Sequence, residues 1–134
     1  LREHGGIFGG FGFDIGGRPE QALWACDELR SLNSFTGKPL SMGGTDYDRE
    51  GIAGFGVAVA ARSALRFFGL TPSQSTFAVQ GIGAMGAAVI RFFSEMGAAL
   101  RAVSDPLLGG TYHLTEAQGQ QCAELFRSGG ANIG

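Results

Sequence analysis

From Phe77 to Asp105 the chain reads FAVQGIGAMGAAVIRFFSEMGAALRAVSD. A short apolar run leads through three glycines spaced G-x-G-x-x-G into an apolar helical pattern, and then into a second apolar run that ends in an acid. No other stretch restricts the fold as strongly. "TFAVQG" and "ALRAVSD" read as buried strands, because each is a short apolar run bounded by turn residues. "AMGAAVIRFFSEMG" reads as a helix stopped by Gly97. Strand, helix and strand in that order predict a right-handed βαβ unit with a parallel pair, and hence an α/β fold.

A bare G-x-G-x-x-G means little in a chain with 24 glycines. Here it closes a predicted strand and opens a predicted helix, which is the context a dinucleotide site needs. Gly81 permits the tight turn, Gly83 lets the backbone approach a pyrophosphate, and Gly86 lets helix and strand pack closely. The amides at the helix start, those of Ala84 and Met85 among them, offer N–H donors at the positive end of the dipole. Asp105 follows at roughly the ~20-residue distance where a carboxylate accepts from the adenosine ribose hydroxyls. Its charge opposes a 2′-phosphate, so NAD is expected in preference to NADP.

The flanking segments carry clear helix signals. "RPEQALWACDELRSLN" has Pro19 at a first helical position and apolar residues at helical spacing. "IAGFGVAVAARSALRFFG" predicts a small-residue helix from about Ile52 to Phe68, stopped by Gly69. "LTEAQGQQCAELFRSG" offers Thr115 as N-cap, Gln118 in the capping-box position and Gly129 as the stop. Between the first two helices, Ser34 to Gly51 is rich in Gly, Pro, Ser, Thr and Asp and is expected to be a functional loop. The pairs Phe67-Phe68 and Phe92-Phe93 are each expected to put at least one ring on an apolar helix face, in the core.

The remaining composition excludes more than it assigns. The chain has 134 residues, 16% of them charged, with a net charge of −2, so no basic stripe suits nucleic acid. The apolar run "GFGVAVAA" is far short of the ~20 residues that span a bilayer, so no membrane segment is expected. Cys26 and Cys122 lack metal-ligand spacing and are read as small buried hydrophobes, and His4 and His113 as surface residues. No metal site is expected, and no signal peptide is read at Leu1, so a cytoplasmic setting is the expectation.

The wider string "TGKPLSMGGTDYDREGIAGFGVAVAA", then "VQGIGAMG", then "AVSD", resembles the glutamate, leucine, phenylalanine and valine dehydrogenases, the NAD(P)-dependent amino-acid dehydrogenases. The likeness runs from about Asp14 to Tyr112, and the order of its motifs is more specific than any one of them. It implies a Rossmann-like βαβ unit preceded by helices that end a substrate domain, in a piece of a longer chain. Residues 1–50 would finish the substrate domain and residues 51–134 would begin the dinucleotide-binding domain. The implied reaction is oxidative deamination of an L-amino acid to a 2-oxo acid and ammonia, by a protein that forms a homo-oligomer.

The same resemblance assigns residues. Asp14, in "FDIGG", matches the aspartate that shuttles protons with the amino or imino group, a task suited to a carboxylate that can give and take a proton. Arg49 matches the arginine of the family's acidic loop. Ala53 stands where the family has a threonine that helps hold the nicotinamide amide. The catalytic lysines of the family lie upstream of the Asp14 segment, whereas the only lysine here is Lys38 in "TGKP". The chain by itself is therefore expected to be inactive toward amino acids, and the alternative reading is a non-catalytic dinucleotide-binding module.

Overall fold

Ala22 and Cys26 lie one turn apart on helix α1, Pro19–Leu29, and both are buried. They form the inward stripe of the first of two units into which the chain divides. In the computed structural model, which describes residues 11–12 and 16–128, the units are Leu1–Tyr47 and Asp48–Gly134.

In the first unit the expected loop after α1 is a series of short turns. A 3-10 turn at Leu32–Ser34 leads into Phe35, which forms a parallel bridge with Phe11. The Thr36 amide donates to the Phe11 carbonyl at 2.7 Å, and Lys38 Nζ donates to the Phe35 carbonyl at 2.6 Å. A second 3-10 turn, Leu40–Met42, follows. Helix α2 is a single turn, Tyr47–Glu50, at the division between the units.

The second unit is built on a three-stranded sheet in the order β1-β2-β3. Strands β1, Thr76–Gln80, and β2, Ala99–Asp105, are parallel, as the strand-helix-strand order requires. Strand β3, Gly110–His113, pairs antiparallel with β2 from Ala102↔His113 to Asp105↔Gly110. Strand β3 is an addition to the expected elements. Its signal was the Gly109-Gly110 pair followed by Thr and Tyr, a hairpin turn leading into residues that favour strands.

Helix α4, Ala84–Glu95, joins the parallel pair, and α5, Glu116–Arg127, follows β3. The capping box at the start of α5 is formed: the Gln118 amide donates to Thr115 Oγ1 at 3.3 Å and the Thr115 amide to Gln118 Oε1 at 2.9 Å. Val79, Leu100 and Val103 from the sheet, Ile90 from α4, and Ala123 and Phe126 from α5 make one core. Burial of each large side chain contributes about 1.5–3 kcal/mol. Gly119 brings α5 onto β2 so closely that a Cβ there would run into the Leu100 carbonyl.

Both α4 and α5 therefore cover one face of the sheet, which corrects the expectation of buried strands. Val79 is buried and Phe77 half-buried, while Thr76, Ala78 and Gln80, whose side chains point the other way, are exposed. On β1 this second face is exposed.

Helix α3, Ile52–Phe67, packs along α4. Ala58 meets Phe93 and Ala98, with Ala61 and Leu65 beside them. Gly69 closes the helix with φ +71°: its amide donates to Arg66 and that of Leu70 to Leu65, leaving few carbonyls unpaired. Phe93 is buried against Phe77 at 5.1 Å between ring centroids, as expected. Phe67 and Phe68 are not in the core but 86% and 74% exposed. The reason is angular: Phe67 stands on the side of α3 opposite the Ala58 stripe, and Phe68 is already past the last helical residue.

Candidate dinucleotide-binding site

At the carboxyl end of β1 the chain turns through Gly81 with φ +83°, a conformation that any side chain would strain. The Gly81 amide donates to the Ser104 carbonyl at 2.7 Å, so the turn is anchored to the neighbouring strand. The next amide, that of Ile82, donates to Asp105 Oδ2, also at 2.7 Å. The Ile82 side chain is buried in the core beneath the loop.

Asp105 holds a second amide as well. Its Oδ1 accepts from Leu107 at 2.9 Å, closing the Asp-Pro turn that leads through Gly109 into β3. The Ile82 bond first, and the Leu107 bond second, hold the Asp105 carboxyl below its ordinary pKa, against a smaller opposing effect of desolvation. A fixed negative charge thus stands at the tip of β2 beside the glycine turn. Asp105 is legible in the sequence but its amide partners are not; Asp before Pro is the available signal for the Leu107 turn.

The three glycines differ in what demands them. A Cβ at Gly86 would run into the Gly81 carbonyl and lie 3.1 Å from Val79 Cγ1, so this glycine is required by helix-strand packing. Gly81 is required by its dihedral angle. Gly83, the N-cap of α4, has φ −71°, and a Cβ there would find no atom within 4 Å. Nothing among the described residues requires a glycine at position 83.

Gly83 stands where α4 begins. The first intrahelical bond runs from the Ala87 amide to the Gly83 carbonyl at 2.9 Å, so the preceding amides, including those of Ala84 and Met85, have no carbonyl one turn back. Met85 is 55% exposed on this rim. Helix α3 begins beside the same rim, with Gly54 against the Met85 carbonyl and Ala88. Ala53, exposed on that first turn, is therefore next to the start of α4, and the exposed Arg49 lies just upstream in α2. Asp14 lies outside the described residues.

The structure thus gathers Gly81, Gly83, Ala84, Met85, Gly86 and Asp105 at one end of the sheet, with the Ala53 turn alongside. A separate cleft of about 750 Å³ opens at the opposite end of β2, beside Ser94, Gly97, Leu100 and Gln120. It contains none of the glycine-loop residues. No three His, Cys, Asp or Glu side chains come together as a metal site among the described residues, and no described helix is long and apolar enough to cross a membrane.

Residues 43–129 match the family model for glutamate/leucine/phenylalanine/valine dehydrogenases. The NAD-specific glutamate dehydrogenase of Peptoniphilus asaccharolyticus is 31% identical over 127 residues, covering 89% of this chain and 30% of its own length. The NADP-specific glutamate dehydrogenase of Saccharolobus shibatae is 36% identical over 103 residues, covering 72% and 24%. A crystal structure of glutamate dehydrogenase from Peptoniphilus asaccharolyticus superposes with a TM-score of 0.71 at 29% identity, over 90% of this chain and 32% of that one. The hetero-hexameric enzyme of Thermus thermophilus superposes with a TM-score of 0.65 at 25% identity, over 92% and 30%. The chain spans about a quarter to a third of the length of these relatives. The ordered motifs and the α/β unit they fold into make this chain a member of the glutamate/leucine/phenylalanine/valine dehydrogenase family.

Proposed function

We propose that the chain is the middle of an amino-acid dehydrogenase and that its second unit holds the pyrophosphate and adenosine of a nicotinamide dinucleotide. Gly83 carries this reading. Gly81 and Gly86 have reasons inside the fold, whereas the missing side chain at position 83 leaves open space at the start of α4, where a backbone-bound pyrophosphate needs it. Ala84 and Met85 present amides there, and Asp105 presents a carboxylate for the ribose. Its charge favours NAD over NADP. Arg49 and Ala53 would border the nicotinamide side.

In the complete protein the reaction would be oxidative deamination of an L-amino acid. The dinucleotide supplies the hydride acceptor when bound. Residues 1–50 would end the substrate domain and 51–134 would begin the cofactor domain, and Asp14 would move the proton of the amino group. The family's names, and the hetero-hexamer of Thermus thermophilus among them, support a small-molecule substrate and an oligomeric complete protein.

The rival reading is a non-catalytic dinucleotide-binding module. Steady-state assays of the complete protein with a panel of L-amino acids separate the two, since a module would give no turnover.

The site itself is tested by Gly83→Ala. The open space and ordinary φ predict an unchanged melting temperature, while NADH affinity, followed by nucleotide fluorescence, falls roughly tenfold or more because the methyl group displaces a phosphate from backbone contact. Unchanged NADH affinity would overthrow the site.

A further inference from the structure

We propose that Asp105 is a positioning residue that clamps the glycine loop into its binding geometry before any nucleotide arrives. The inference rests on the dinucleotide reading above and adds to it a task that a ribose acceptor need not have.

Three features carry it. The Ile82 amide sits in the middle of the G-x-G turn, between a glycine at φ +83° and the N-cap of α4, so whatever fixes that amide fixes the direction of both neighbours. Asp105 Oδ2 fixes it at 2.7 Å from an adjacent strand, a charge-assisted bond of the shorter kind. The Leu107 amide, at 2.9 Å on Oδ1, in turn holds the carboxylate, so the clamp is braced by the Asp-Pro turn and not by a single rotamer.

The flanking amide gives the clamp its consequence. Gly81 N–H goes to the Ser104 carbonyl and Ile82 N–H to Asp105, so two successive donors of the turn are consumed by β2. The amides from Gly83 onward are the ones left for an anion. Sorting the donors in this way pre-pays part of the ordering that a phosphate would otherwise impose on the loop. Each carboxylate oxygen retains another lone pair, so a ribose hydroxyl can be accepted without breaking the clamp.

Two variants distinguish a clamp from a mere charge. Asp105→Asn removes the charge but keeps one carbonyl oxygen, which can hold one of the two amides; Asp105→Ser removes the charge and is too short for the reach to Ile82. In the complete protein without nucleotide, amide hydrogen exchange at Ile82 should quicken in both, roughly tenfold or more in Ser and less in Asn, as expected for loss of a bond to a charged acceptor. Affinity for NADH, titrated by fluorescence, should fall in the same order. Exchange at Ile82 equal to wild type in both variants would overturn the clamp, whatever the nucleotide data. Equal loss of NADH affinity in Asn and Ser would also overturn it, since that is the signature of charge alone. A wild-type protein that binds neither NADH nor NADPH would instead refute the dinucleotide reading, while the exchange rates would still decide the clamp.

Discussion

Gly54 of α3 lies directly on Ala88 of α4. A Cβ at position 54 would run into the Ala88 methyl and stand 2.7 Å from the Met85 carbonyl and 2.8 Å from the Val89 amide. Gly56, on the next stretch of the same helix, would place a Cβ in open space. Gly54→Ala should therefore destabilise the protein by about 1–3 kcal/mol through overpacking against backbone that cannot retreat. Gly56→Ala should be neutral or stabilising by up to about 1 kcal/mol, because only the helix propensity changes. Urea denaturation of the two variants checks the pair, and equal effects would show that α3 does not rest on α4 at this point.

The Asp105 clamp gives a pH dependence of definite sign. The folded protein holds this carboxyl below its ordinary value of 3.8, so the unfolded chain takes up the proton first as the pH falls. The stabilisation is thus fully present above that ordinary value and is lost as the pH drops through the folded one. The stability difference between wild type and Asp105→Asn should be flat from neutrality to about pH 5 and shrink below about pH 4. A difference that grows on acidification would contradict the amide bonds.

Cofactor choice is a separate readout of the same residue. With its charge fixed at the tip of β2, the complete protein should prefer NADH to NADPH by roughly tenfold, since two close negative charges repel even in partly screened surroundings. Asp105→Ser should narrow that ratio even as its NADH affinity falls. Comparable wild-type affinity for the two nucleotides would remove the charge from the account.

Cys122, half-buried on α5, has its thiol pKa raised above the usual 9.0 by desolvation. It should react with iodoacetamide at pH 8 more slowly than a free thiol of ordinary pKa, because less thiolate is present. Timed alkylation followed by mass spectrometry of the α5 peptide measures this, and a rate at or above that of a free thiol would contradict the burial.

Most of the architecture was legible because it depends on local rules. Periodicity and boundary residues located α1, α3, α4 and α5, although Gly129, expected to stop α5, lies outside the described residues, and the strand-helix-strand order required β1 and β2 to be parallel. The glycine spacing also located the turn. What failed was decided by neighbours distant in sequence: an apolar run such as Phe77 to Val79 does not say how many of its faces are covered, and Phe67-Phe68 does not say which partner its helix will choose.

The same division holds within the site. That Gly81 stands at a turn, Gly83 and Gly86 at a helix start and Asp105 at a strand end follows from spacing alone. That Gly81 and Gly86 serve the fold while Gly83 faces open space, and that Asp105 holds the Ile82 amide 2.7 Å away, follow only from where β2 sets its end beside β1. Spacing along a chain fixes which residues can reach a turn; the register of two strands fixes which hydrogen bonds they make there.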